Sequence, residues 1–150
     1  MSPLREILWM EKIIKEKISA DHLLYVSLKY TKTCDVIVNL LIRWKIMIEL
    51  GMERLIDKVK KAKKWKAVSD APRAQLLQLK KIYANDPVVS KTFELYELFR
   101  DIENLEKVRE NEFRKGVNLK VNYKGQIVNI NLDALKEYSQ ILEKFISSLK

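Results

Sequence analysis

The chain has 150 residues, 47% hydrophobic and 33% charged, the size and balance of one globular domain with a core of its own. It carries 29 Lys and Arg against 20 Asp and Glu, a formal charge of +9, with one Cys, one His and three Gly. Those counts exclude a disulfide framework, a zinc site built from several Cys or His, and a glycine-rich phosphate loop. No metal and no cofactor is expected.

The opening Met1-Ser2-Pro3-Leu4-Arg5-Glu6 lacks the basic start and apolar run of a secretory signal, so no export is implied. Ser2 reads as an N-cap, Pro3 as the first helical residue and Glu6 as a first-turn acid. Ile7, Met10, Ile14 and Ile18 then recur at helical spacing. Asp21 suits the cap of a second helix from about His22 to Leu50, roughly 40 Å long and the spine of the domain, with Gly51 placed to end or kink it. The apolar stretch from Cys34 to Leu50 is interrupted by Asp35, Asn39, Arg43, Lys45 and Glu49, which is too polar for a bilayer span. No membrane insertion and a cytoplasmic location are expected.

Met52, Leu55, Ile56, Val59 and Ala62 mark a third amphipathic helix ending near Trp65 to Val68, or a continuation of the second. Ser69-Asp70-Ala71-Pro72 stops and restarts the chain for a short fourth helix to about Ala84. Asn85-Asp86-Pro87 repeats the signal, and Val89, Phe93, Tyr96, Phe99, Ile102, Leu105 and Val108 stripe a fifth helix predicted from about Val88 to Phe113. From Asn118 to Asn131 the period becomes two, around a turn at Tyr123-Lys124-Gly125-Gln126. The resulting hairpin sets Val121 opposite Val128 and Leu119 opposite Ile130, with Lys120 and Asn129 sharing the other face. Asn131 caps a last helix carrying Leu135, Tyr138, Leu142, Phe145 and Leu149. No repeat or linker divides residues 1–150. The expected architecture is a mainly α helical bundle, one domain, with a long central helix and a β-hairpin (about 118–131) before the C-terminal helix.

The excess charge is local. Residues 51–92 hold eleven Lys and Arg against four Asp and Glu, whereas residues 93–150 balance. Arg54, Lys58, Lys60, Lys61, Lys63, Lys64 and Lys66 crowd little more than three turns, opposed within that run by Asp57. Like charges at helical spacing repel, so something must relieve them. RNA or DNA phosphates would do so, with Trp65 against a base or sugar and with strong salt dependence. Neutralisation by Glu94, Glu97, Asp101, Glu103, Glu106 and Glu110 of the fifth helix, together with plain solvation, is the second reading. An anionic membrane surface is the third.

Lys32, Asp35, Asn39 and Arg43 form a polar file on an otherwise apolar helix. They satisfy one another at helical spacing, or they line an interhelical pocket in which Lys32 and Arg43 hold an anion that Asp35 and Asn39 orient. His22 reads as a first-turn residue rather than a general base, Cys34 as a core thiol, and the three Trp as packing residues, Trp65 the least buried. The ferritin-type di-metal pattern needs two Glu-x-x-His helices, and one His cannot supply it.

The string from Asp21 to Ile37, followed by a long helix and a basic one, resembles small uncharacterised archaeal helical proteins and, more distantly, the HEPN helical-bundle superfamily. The resemblance implies RNA or partner binding and dimerisation. That superfamily's ribonucleases carry an Arg followed four to six residues later by a His. Here the one His is His22 and the nearest upstream Arg is Arg5, so the resemblance implies a non-catalytic member, with no ribonuclease residue to carry over. The Lys- and Glu-rich, Gln-poor usage fits a thermophile. A lone hairpin must pack on helices or find another strand, which makes a homodimer through hairpins or long helices the expected assembly. The sequence thus points to a non-catalytic binding module for nucleic-acid phosphates, the alternative being a structural or regulatory protein–protein module.

Overall fold

A computed structural model describes residues 3–150, so the Ser2 cap lies outside the described residues. Helix α1 (Pro3–His22) passes through a π-helical turn (Leu23–Ser27) into a final α turn, α2 (Leu28–Thr31). The first rod therefore does not stop at Asp21. It stops at Lys32, whose backbone is left-handed (φ 50°), and the next helix is capped by the Thr33 hydroxyl, which accepts from the Val36 N–H. Asp21 is free to serve otherwise, taking a 2.7 Å hydrogen bond from Lys17 one turn earlier.

Helix α3 (Cys34–Lys61) is the spine, and it is one helix, not two. Gly51 does not end it. A Cβ at Gly51 would stand 2.4 Å from the Phe145 ring of α6, so the glycine is there to let the last helix approach. Helices α4 (Pro72–Ile82) and α5 (Pro87–Asp101) follow. Each begins at a proline, and Asp86 caps the second through the Val88 and Val89 N–H groups.

Helix α5 ends about a dozen residues before the periodicity suggests. A 3-10 turn (Ile102–Asn104) follows, and Lys107 places its ammonium on the carbonyls of Ile102, Glu103 and Leu105 at 2.7, 3.1 and 3.0 Å. The ammonium thus satisfies acceptors of the turn that follows the helix, while the Ile102 N–H closes α5 on the Phe99 carbonyl. The chain then forms β1 (Lys107–Glu110), which pairs antiparallel with β2 (Asn118–Tyr123). The hairpin of β2 and β3 (Gln126–Asn131) has the expected register, Val121 opposite Val128 and Leu119 opposite Ile130, so the ribbon is the larger part of a three-stranded sheet ordered β1-β2-β3. Asn131 caps α6 (Leu132–Ser148) through the Ala134 N–H.

The molecule is thus mainly α, with a small antiparallel sheet before the last helix. Helices α1 and α3 run antiparallel, tied by Glu6–Arg54 at 2.9 Å, Arg5–Asp57 at 3.5 Å and Glu16–Arg43 at 3.4 Å. The Trp9 indole N–H donates to the Leu50 carbonyl at 2.6 Å within the same seam. Helix α3 is buried along Ile37, Leu40, Leu41, Trp44, Met47 and Ile48. Trp44, Phe99 and Tyr138 meet at centroid distances of 5.8 to 6.5 Å and join α3, α5 and α6. No described helix is long and apolar enough to cross a membrane.

Candidate nucleic-acid interface

The basic run is not one helical comb. Helix α3 ends at Lys61, and the Lys64 N–H closes it on the Val59 carbonyl at 3.0 Å across a left-handed Lys63 (φ 59°). This is the place glycine usually takes, and a lysine holds it instead. Lys58, Lys60 and Lys61 occupy the last turn, where the exposed carbonyls and the helix dipole favour cations. Lys63, Lys64 and Lys66 lie on the loop beyond. Ending the helix here separates charges that would otherwise stack at i, i+4.

The loop is held in place. The Lys66 N–H donates to the Gln78 side-chain carbonyl, and the Gln78 amide donates back to the Lys66 carbonyl, both at 2.9 Å. Trp65 packs half-buried against the core, so its indole is a peg for the loop rather than a free platform for a base.

Two members of the predicted set are turned inward. Arg54 pairs with Glu6 and lies 5.8 Å from the Trp9 ring centroid, binding α3 to α1. Lys58 is half-buried, and its pKa is lowered by that burial and then by Arg54 beside it. Lys60, Lys61, Lys63, Lys64 and Lys66 are exposed and make no ion pair among the described residues. The acidic residues of the fifth-helix region are engaged elsewhere. Glu97 takes Lys80 and Lys124, Glu94 takes Lys91, and Asp101 takes Arg100. Glu103, Glu106 and Glu110 are off the helix altogether, because α5 has ended.

The polar file does not converge. Lys32 stands outside α3, with its ammonium on the Lys29 carbonyl at 2.8 Å. Asp35 turns to Arg109 of β1 at 2.7 Å, a contact that raises the pKa of the arginine. Asn39 and Arg43 line a groove of about 740 Å³ between α1 and α3 with His22, Ile18, Ile42 and Ile46, and Arg43 is already paired with Glu16. Arg109, whose segment carries a helical apolar period but forms β1, takes the place next to Asp35 that helical spacing assigns to Lys32. Cys34 is buried and donates its thiol to the Asn118 carbonyl at 3.3 Å, and burial raises its pKa. No protein-family model, curated protein or solved structure matches the chain.

Proposed function

We propose that this protein is a non-catalytic binding module that holds nucleic-acid phosphates on Lys60, Lys61, Lys63, Lys64 and Lys66. The observation that carries this reading is that five ammonium groups within seven residues stand exposed and, among the described residues, without an ion pair: Lys60 and Lys61 on the last turn of α3, and Lys63, Lys64 and Lys66 on the loop pinned by Gln78 and Trp65. Such an array can trade condensed counter-ions for a line of phosphates, a gain available to any closely spaced polyanion of regular charge. Positioning is all that ammonium groups at this spacing supply, so sequence preference is weak. A membrane surface fits less well, because an interfacial helix needs an apolar face beside its lysines, and α3 buries its own in the core. The setting proposed is the cytoplasm.

Fluorescence anisotropy with single- and double-stranded RNA and DNA at low salt tests the reading. Wild type should bind, and Lys60→Gln/Lys61→Gln/Lys64→Gln should bind at least roughly tenfold more weakly while melting like wild type. Equal binding by the variant, or no binding by wild type, would refute it.

A second reading, a protein–protein module acting as a homodimer, is favoured by one specific observation. Three of the four residues of the expected stripe on α1 face outward: Ile7, Ile14 and Ile18 are exposed, with Leu4 and Leu8 beside them and Leu4 and Ile18 exposed by about two thirds, while Met10 packs half-buried against the core that Trp9, Ile13 and Ala20 fill. Leu4, Ile7, Ile14 and Ile18 follow the three-and-four spacing of a coiled-coil seam, and an exposed apolar stripe of this kind marks an interface. Sedimentation equilibrium should give a dimer that Ile7→Glu/Ile14→Glu dissociates. A monomer at high micromolar concentration would contradict this reading.

A further inference from the structure

Three unusual backbone features meet at one groove, far from the basic loop. The π-helical turn Leu23–Ser27 feeds the left-handed Lys32. Against them lies the β1–β2 loop, in which Asn111, Phe113 and Gly116 all have positive φ (54°, 66° and 90°). The Phe113 N–H donates to the Lys32 carbonyl at 2.9 Å and fastens the loop to the turn. Conformations of this kind persist only where the surroundings hold them, and they gather at binding sites.

The groove they frame has a volume of about 750 Å³, within the range of small-molecule sites. Its floor is apolar, made by Leu24, Leu28 and Val117, with Leu132 at the rim. Around it stand Lys29, Lys32, Lys115 and Lys136, with Asp133 as the one lining carboxylate. None of the four lysines makes an ion pair among the described residues. An apolar trough ringed by four cations and one anion is complementary to a molecule that is greasy along its length and negative at its end.

We infer that this groove binds a monomeric anionic amphiphile, a short alkyl phosphate or carboxylate, with its head among Lys29, Lys32, Lys115 and Lys136 and its chain on Leu24, Leu28 and Val117. Nucleic acid is a poor match, since its charge is continuous and the floor would meet no apolar surface. Helix α3 separates the two cationic features. The groove adjoins its N-terminal end and the lysine loop its C-terminal end, roughly 40 Å apart at 1.5 Å per residue. The inference therefore stands apart from the nucleic-acid reading, and Lys60→Gln/Lys61→Gln/Lys64→Gln should leave it untouched.

Isothermal calorimetry with decyl phosphate below its micellar concentration tests it, against inorganic phosphate, decyltrimethylammonium and phosphatidylglycerol vesicles. Decyl phosphate should bind at a single saturable site, at least roughly tenfold tighter than inorganic phosphate or the cationic amphiphile. Lys29→Gln/Lys136→Gln should lose most of that affinity. Leu132→Glu should lose it too while keeping its fold, because a carboxylate in the first turn of α6 suits the helix but repels the head group. Binding no tighter than that of inorganic phosphate, binding unchanged in Lys29→Gln/Lys136→Gln, or binding of vesicles without binding of the monomeric amphiphile would each overturn the inference.

Discussion

Tyr96 is 1% exposed and donates its hydroxyl to Glu49 at 2.8 Å. Burial first, and the Glu49 carboxylate second, raise its pKa above the ordinary value of 10.0. A raised pKa favours the neutral phenol in the folded state, so its contribution to stability is complete below pH 10 and is lost as pH climbs through the folded pKa. Within that window the loss is about 1.4 kcal/mol per pH unit. Denaturant unfolding of wild type should therefore weaken steeply above pH 10, and Tyr96→Phe should flatten that fall while losing about 1 kcal/mol at neutral pH. Parallel profiles would show that Tyr96 does not govern alkaline stability. The polar file teaches the complementary lesson at this scale. Helical spacing placed Asp35, Asn39 and Arg43 on one face, but partners from other elements, Arg109 and Glu16, decide where the charges go. Residue spacing along one helix carries no information about them.

Among the elements, Gly51 gives the sharpest test. Helix propensity alone makes Gly51→Ala stabilising by about 1 kcal/mol. The Phe145 ring, fully buried, leaves no room for the added methyl, so the substitution should instead cost about 1–3 kcal/mol by overpacking. Pairing it with Phe145→Leu should recover part of that loss. A stabilised Gly51→Ala would mean that α3 and α6 do not meet so closely. Elements were legible where the signal was local: the hairpin register, the Asp86 and Asn131 caps and the two Pro-led helices all follow from adjacent residues. They were illegible where a distant group closed them. The turn after α5 is held by Lys107, which folds back onto the carbonyls of Ile102, Glu103 and Leu105. The break at Lys32 depends on a left-handed residue supported by the loop around Phe113. A single-sequence period cannot register either.

For the whole molecule, charge and apolar surface are distributed unevenly: exposed lysines at one end of the spine, a cation-ringed groove at the other, and an apolar stripe along α1. The concentration of charge in residues 51–92 was plain in the sequence. Which lysines are free was not, because the end of α3 and the Glu6–Arg54 contact sort them. The stripe of α1 was visible as a helical period, yet periodicity does not say which side is buried, and here Trp9 and Ile13 take the inner face. The salt dependence of nucleic-acid affinity tests whether the lysines at the end of α3 hold phosphates. On duplex RNA or DNA, log K should fall linearly with log salt with a slope of about −3 to −5, as expected for a few phosphates neutralised, and Lys60→Gln/Lys61→Gln/Lys64→Gln should reduce that slope by about 3. A slope near zero, or one unchanged by the three substitutions, would contradict the account and remove the lysine loop from consideration as a phosphate-binding surface.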